Sequence, residues 1–110
     1  MKNFIQAGRT IAVPAPYAVS GGQLLKRGAI VGVAQHDAEA GAGVEVERVG
    51  VFDLAKVAAE AWSIGDALYW DDAARLVTTV DTDNTLIGAA AGTAANPSAV
   101  GTVLLDGVIR

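Results

Sequence analysis

Residues 29–34 read AIVGVA and residues 85–90 read TLIGAA, so a chain of 110 residues writes nearly the same strand phrase twice. In both, two branched or large aliphatic residues precede a glycine, and a small residue and an alanine follow it. The match extends outward. SGGQLL (20–25) precedes the first phrase and SIGDAL (63–68) precedes the second, with Gly22 answering Gly65 and Leu25 answering Leu68. After them, VGVF (49–52) is answered by DGVI (106–109). This pattern predicts an internal pseudo-repeat, with copies at 20–52 and 63–109 behind an N-terminal edge segment at 1–18. The second copy is longer, and ALYWDDAARLVTT (67–79) fills the difference as a hairpin turning at Asp71 to Ala74.

Local signals agree on strands. VEVERV (44–49) opens with strict alternation, Val44 and Val46 against Glu45 and Glu47, as expected of an antiparallel strand with one wet face. LYW and RLVTTV are rich in β-branched and aromatic residues and bracket a polar turn. TIAVPAP ends in Pro14 and Pro16, which donate no ladder hydrogen bond, and so is expected to lie at a sheet edge or to leave the sheet there. FDLAKVAAEAWSIG departs from this pattern. Leu54, Val57, Ala58, Ala61 and Trp62 fall at i, i+3, i+4, i+7 and i+8, the apolar stripe of a helix. Asp53 is placed to cap it and Gly65 to end it. The fold expected is therefore mainly β: a small barrel or sandwich of short antiparallel strands with one short helix at about 53–62.

Composition bounds the rest. At 110 residues one domain is the default, and a domain this small buries roughly two-thirds of its unfolded surface, which favours self-association. No Cys is present, which removes disulfides, thiolate metal sites and cysteine nucleophiles, and fits a cytosolic origin. The opening MKNFIQAGRT has too short an apolar run for a signal peptide, and no segment approaches the ~20 apolar residues that span a bilayer. The net charge is −4, and only Lys26 and Arg27 are adjacent cations, so the basic stripe of a nucleic-acid binder is missing. Neither a membrane nor a nucleic acid is an expected partner.

Candidate chemistry is sparse. His36 stands beside Asp37 and Glu39 but has no second nitrogen or sulfur ligand, which reads as a loop histidine. DTDNT (81–85) resembles the opening of a calcium loop, yet Leu86 and Gly92 occupy the positions that need Gly and a bidentate Glu. Asp71 and Asp72 on a hairpin turn are expected to face water. Ser20, Ser63 and Ser98 lie in no nucleophile elbow, and Gly41-Ala42-Gly43 leads into a strand where a dinucleotide fingerprint requires a helix. No catalytic, metal or cofactor-binding residue is expected, and the chain is not expected to be an enzyme. Tyr69 and Trp70 are strand neighbours facing opposite sides, so one of them is a candidate contact.

The opening MKNFIQAGRTIAVPAP, the central GVFDLAKVAAEAWSIGDALYWD and the later NTLIGAAAG together resemble the small phage capsid cement, or head decoration, family, in register over nearly the whole chain. Relatives often carry Pro near position 55, where this chain has Ala55. Some relatives bear a label tying them to RecA-type recombinases, against which the missing phosphate loop and basic surface argue. The resemblance implies a virion protein made in the bacterial host cytoplasm that binds the exterior of an expanded capsid. The implied partners are the major capsid protein and further copies of itself, as a homotrimer. Candidate contacts are Phe4, Ile5, Tyr17, Tyr69 and Trp70, with the Gly88 to Ala99 loop as a second region. The alternatives are a low-copy head–tail connector or tail component and, in another class, a nucleotide-binding or enzymatic accessory protein.

Overall fold

The computed structural model of the chain describes residues 6–109. In chain order its strands are β1 (Thr10–Pro14), β2 (Leu24–Arg27), β3 (Ile30–Ala34), β4 (Gly43–Glu47), β5 (Val49–Ala55), β6 (Ala67–Asp71), β7 (Leu76–Thr78), β8 (Thr85–Ala90) and β9 (Val100–Asp106). They form two antiparallel sheets, ordered β1-β4-β3-β2 and β5-β9-β8-β6-β7. The protein is thus mainly β. Alternation places Val44 and Val46 inside β4 with exposures of 1% and 0%, and β1 is an edge strand ending at Pro14.

The sheets share one wiring. In each, the second strand, β2 or β6, follows a turn in which glycine takes a left-handed conformation, Gly22 at φ 91° and Gly65 at φ 89°, where a Cβ would be strained. Gly22 N–H donates to Ala34 and Gly65 N–H to Ala90, both at 2.8 Å. Val19 bridges Ala38 in the first unit and Trp62 bridges Ala94 in the second. Pairing β1–β4–β3–β2 in the first sheet has its counterpart in β5–β9–β8–β6 in the second, and β7 is added. Matched in this way, the two units run from β1 to β4 and from β5 to β9. VGVF lies in β5, while DGVI begins at the end of β9, and these two strands are hydrogen-bonded neighbours within one sheet.

The apolar residues form two clusters. One lies on the first sheet, around Val13, Leu25, Ala34, Val44 and Val46. The other lies on the second sheet, around Leu54, Trp62, Leu68, Trp70, Val103 and Leu105, and also takes Leu24 and Val33 from the first. β2 and β3 are therefore buried on both faces. Two cores replace the expected barrel or single-core sandwich. The second sheet nearly closes, since Lys56 makes a parallel bridge to Val77, but the three-residue β7 is too short to extend that seam. Arg48, the single residue between β4 and β5, joins the units through Nη1 to the Gly8 carbonyl at 2.5 Å and Nη2 to the Gly107 carbonyl at 2.6 Å.

The expected helix at 53–62 is absent, and the described residues contain no α-helix. Residues 52, 54 and 56 turn inward while 51, 53 and 55 face outward, a period of two that the charged Lys56 disguises. Lys56 is 2% exposed, and its Nζ donates to the carbonyls of Val57 at 2.8 Å, Ser98 at 3.1 Å and Glu60. Two carbonyls of the expected helix, those of Val57 and Glu60, instead converge with that of Ser98 on one ammonium. Asp53 caps nothing, because its Oδ1 accepts from Thr102 Oγ1 across the β5–β9 pair at 2.7 Å.

Candidate contact surfaces

Of the five side chains singled out from sequence, Phe4 and Ile5 lie outside the described residues. Tyr17, Tyr69 and Trp70 are not brought together as one patch. Trp70 is 4% exposed and belongs to the second core, with its Nε1–H donating to Asp72 Oδ1 at 2.9 Å. Tyr17, half-buried on the segment after β1, donates its hydroxyl to the same oxygen at 2.9 Å. The Arg75 guanidinium covers its ring at 3.8 Å. Burial and the Asp72 carboxylate, which bonds the phenol and repels a phenolate, push the Tyr17 hydroxyl up to about 12. Asp72 is exposed, as expected from its place in a turn. It ties the first unit to the second, while Asp71 caps the turn by accepting from Ala73 and Ala74 N–H groups at 3.1 Å.

A cavity of about 110 Å³ opens beside this junction, lined by Tyr17, Gln23, Leu24, Leu54, Trp70 and Arg75. Tyr69, half-buried, lies elsewhere, over a shallow depression shared with Ala61, Asp66, Thr79 and Asp81. His36 pairs Nδ1 with the Asp37 carbonyl at 3.0 Å and Nε2 with the Glu45 N–H at 3.5 Å, contacts that brace its loop. Among the described residues, no group of three or more His, Cys, Asp or Glu could hold a metal ion.

A second polar cluster braces the segment after β5. Burial raises the Glu60 carboxyl, but hydrogen bonds from Thr78, the Thr79 N–H and Trp62, together with the Lys56 charge, outweigh that and hold it below the usual carboxylate range. Thr78 Oγ1 donates at 2.5 Å and Thr79 N–H at 2.9 Å. Lys56 Nζ also sits 5.4 Å from the Trp62 ring centroid.

The feature that sequence reasoning missed is an apolar row on the outward face of the second sheet, beside the Asp53–Thr102 pair. The register Val51↔Leu104, Leu104↔Ala89 and Ala89↔Ala67 draws one row across β5, β9, β8 and β6, with all four side chains on the side away from the core. Val51 is 59% and Leu104 44% exposed, and Val100, paired with Ala55 nearby, is 50% exposed. The signal was present as alternation in VFDLA and VGTVLL, but apolar residues occupy both phases there, so neither face reads as wet.

A family model described as phage cement protein matches residues 5–105. No curated protein matches the chain, and no solved structure does.

Proposed function

The chain belongs to the phage cement protein family, and on that premise we propose that it is a structural, capsid-associated phage protein that decorates the exterior of the expanded shell and stabilises it without catalysis. The family match over residues 5–105 carries this reading. Bracing a shell against internal pressure asks for a rigid module with a contact repeated over a lattice, where modest affinities multiply through avidity. The Arg48 clamp, the Asp72 junction and the buried Lys56 support rigidity of that kind, because each pins segments distant in sequence. The partners are the major capsid protein and, in a homotrimer, further copies of this chain, made in the host cytoplasm. The N-terminal segment with Phe4 and Ile5 adds to a capsid strand by β-augmentation.

The test is a copy count: purified virions from a strain encoding the protein, with its ratio to the major capsid protein measured by mass spectrometry. A ratio near one, or a large regular fraction of one, supports decoration of the lattice. A handful of copies moves the protein to a vertex or the tail, and absence from virions overturns the reading.

A further inference from the structure

The second sheet comes close to closing on itself and leaves a seam. Lys56 N–H donates within the sheet to the Ala99 carbonyl at 3.0 Å, and Val57 N–H reaches across to the Val77 carbonyl at 3.0 Å. Among the described residues, β5 and β7 are joined only by this Lys56–Val77 bridge. The cavity of about 110 Å³ opens where they part, between Leu54 and Ala55 on one side and Trp70 and Arg75 on the other, with Gln23 and Leu24 brought in from the first unit. Strand alternation turns the Ala55 N–H toward the same seam as that of Val57.

The walls of this cavity sort by chemistry. Leu24, Leu54 and Trp70 are buried and make an apolar floor. Arg75, exposed at the mouth, is the one charged side chain among the described residues that line it. Its guanidinium lies on the Tyr17 ring and, among the described residues, makes no hydrogen bond or ion pair. The neighbouring Asp72 carboxylate is engaged elsewhere, since its Oδ1 accepts from the Tyr17 hydroxyl and the Trp70 Nε1–H. Gln23 Oε1 accepts from Ser20 N–H at 2.9 Å, which leaves the amide NH₂ as a further donor on the wall. Donors and one cation over an apolar floor suit an anion that carries an apolar body.

The backbone of Arg75 adds a second observation. Its φ is 57°, a left-handed conformation that side chains other than Asn and Asp seldom adopt. Its N–H closes the hairpin turn on the Asp71 carbonyl at 2.7 Å, a turn that glycine would make without strain. Strain of this kind gathers at functional sites, and here it delivers a guanidinium to the mouth of the cavity. Size narrows the ligand further. About 110 Å³ is less than the roughly 150 Å³ apolar cavity that holds benzene, so the body is a short aliphatic chain.

We propose that this seam is a binding site for a small aliphatic monocarboxylate, with its chain on Leu24, Leu54 and Trp70 and its carboxylate on the Arg75 guanidinium. The ligand joins the first unit to the second at the place where the second sheet fails to close. The inference goes beyond the capsid role and stands or falls independently of it.

The experiment titrates pentanoate into the ¹⁵N-labelled full chain at neutral pH and follows the indole N–H resonance of Trp70, with Tm measured in parallel. Saturable binding is expected with a Kd of about 1 mM or tighter, within what about seven non-hydrogen atoms supply, and Tm is expected to rise with ligand concentration. Pentanamide keeps the chain without the charge, and is expected to bind about 10-fold more weakly or worse. Acetate keeps the charge without most of the chain, and is expected to lose about 10-fold or more as well. Arg75→Gly removes the guanidinium and relieves the strained angle, so it is expected to keep the fold, to lose about 10-fold or more for pentanoate, and to bind pentanamide as wild type does. No saturable shift of the Trp70 resonance, equal affinity for acid and amide, or an Arg75→Gly variant that binds pentanoate as tightly as wild type overturns the proposal. Should Arg75→Gly not fold, the ratio of acid to amide affinity on the wild type decides alone.

Discussion

Replacing Lys56 with methionine keeps most of the stem that packs in the core but removes the ammonium. Three backbone carbonyls, those of Val57, Glu60 and Ser98, then lose their donor, and the cation over the Trp62 ring disappears. Hydrogen bonds to a charged group contribute about 1.5–3 kcal/mol each, and the ring contact adds about 1 kcal/mol. Against this, the wild type bears the desolvation of a buried cation, several kcal/mol. The net expected loss is about 3–5 kcal/mol, as for breaking a buried charge network by removing one member. For a domain of this size that corresponds to a fall in Tm of about 12–20 °C. Urea unfolding followed by tryptophan fluorescence reads it directly, because Trp62 lies against the replaced group. Lys26→Met, on the edge strand β2, serves as the control and should stay within about 0.5 kcal/mol of wild type. A loss under about 1 kcal/mol for Lys56→Met, or a gain, would refute the view that Lys56 holds the segment out of a helix.

Further expectations rest on other contacts. A Cβ at Gly101 would collide with the Trp62 ring, while the matching positions in the first unit are Val44 and Val19. Trp62→Val should therefore cost about 3 kcal/mol, and Gly101→Val, ruinous alone, should recover part of it in the double variant, a coupling that a double-mutant cycle in urea would detect. Because the Tyr17 hydroxyl is raised to about 12 in the folded state, the unfolded chain loses its proton first as pH climbs past 10. Stability should be unaffected by this group below pH 10 and decline from there toward 12, and Tyr17→Phe should flatten that decline in alkaline denaturation curves. Glu60 is shifted the other way, so its contribution is present above the ordinary carboxylate range and lost as pH falls through and below about 4. Glu60→Gln should weaken the acid dependence of the melting temperature. Deleting residues 2–5, which spares the Gly8 carbonyl gripped by Arg48, should abolish binding to phage shells in a pull-down while leaving the melting temperature in place. Retained binding would remove the N-terminal segment as the contact.

Where side-chain type and backbone geometry coincide, the chain could be read without its fold. Val44, Glu45, Val46 and Glu47 alternate because one face of β4 is wet, and the turn at Asp71 to Ala74 announces the β6–β7 hairpin through its polar residues. Gly22 and Gly65 sit where a left-handed conformation is required, so the turns that lead into β2 and β6 are written in the sequence. The mainly β character follows from such local rules, and the ordered phrases that resemble cement proteins carry the family assignment. What lay beyond reach depended on partners far along the chain. The apolar spacing from Leu54 to Trp62 fits a helix equally well, and only the pairing of β5 with β9 and the capture of Lys56 by carbonyls from three places decide for a strand as far as Ala55 and irregular backbone beyond it. Asp72 became a junction because Tyr17, 55 residues away, reaches it. The apolar row on the outward face of the second sheet exists because sheet order sets which of two apolar phases meets a core. Local sequence specifies what each segment can be, and burial against distant segments selects among those options, since desolvation and hydrogen-bond satisfaction are properties of the assembled chain.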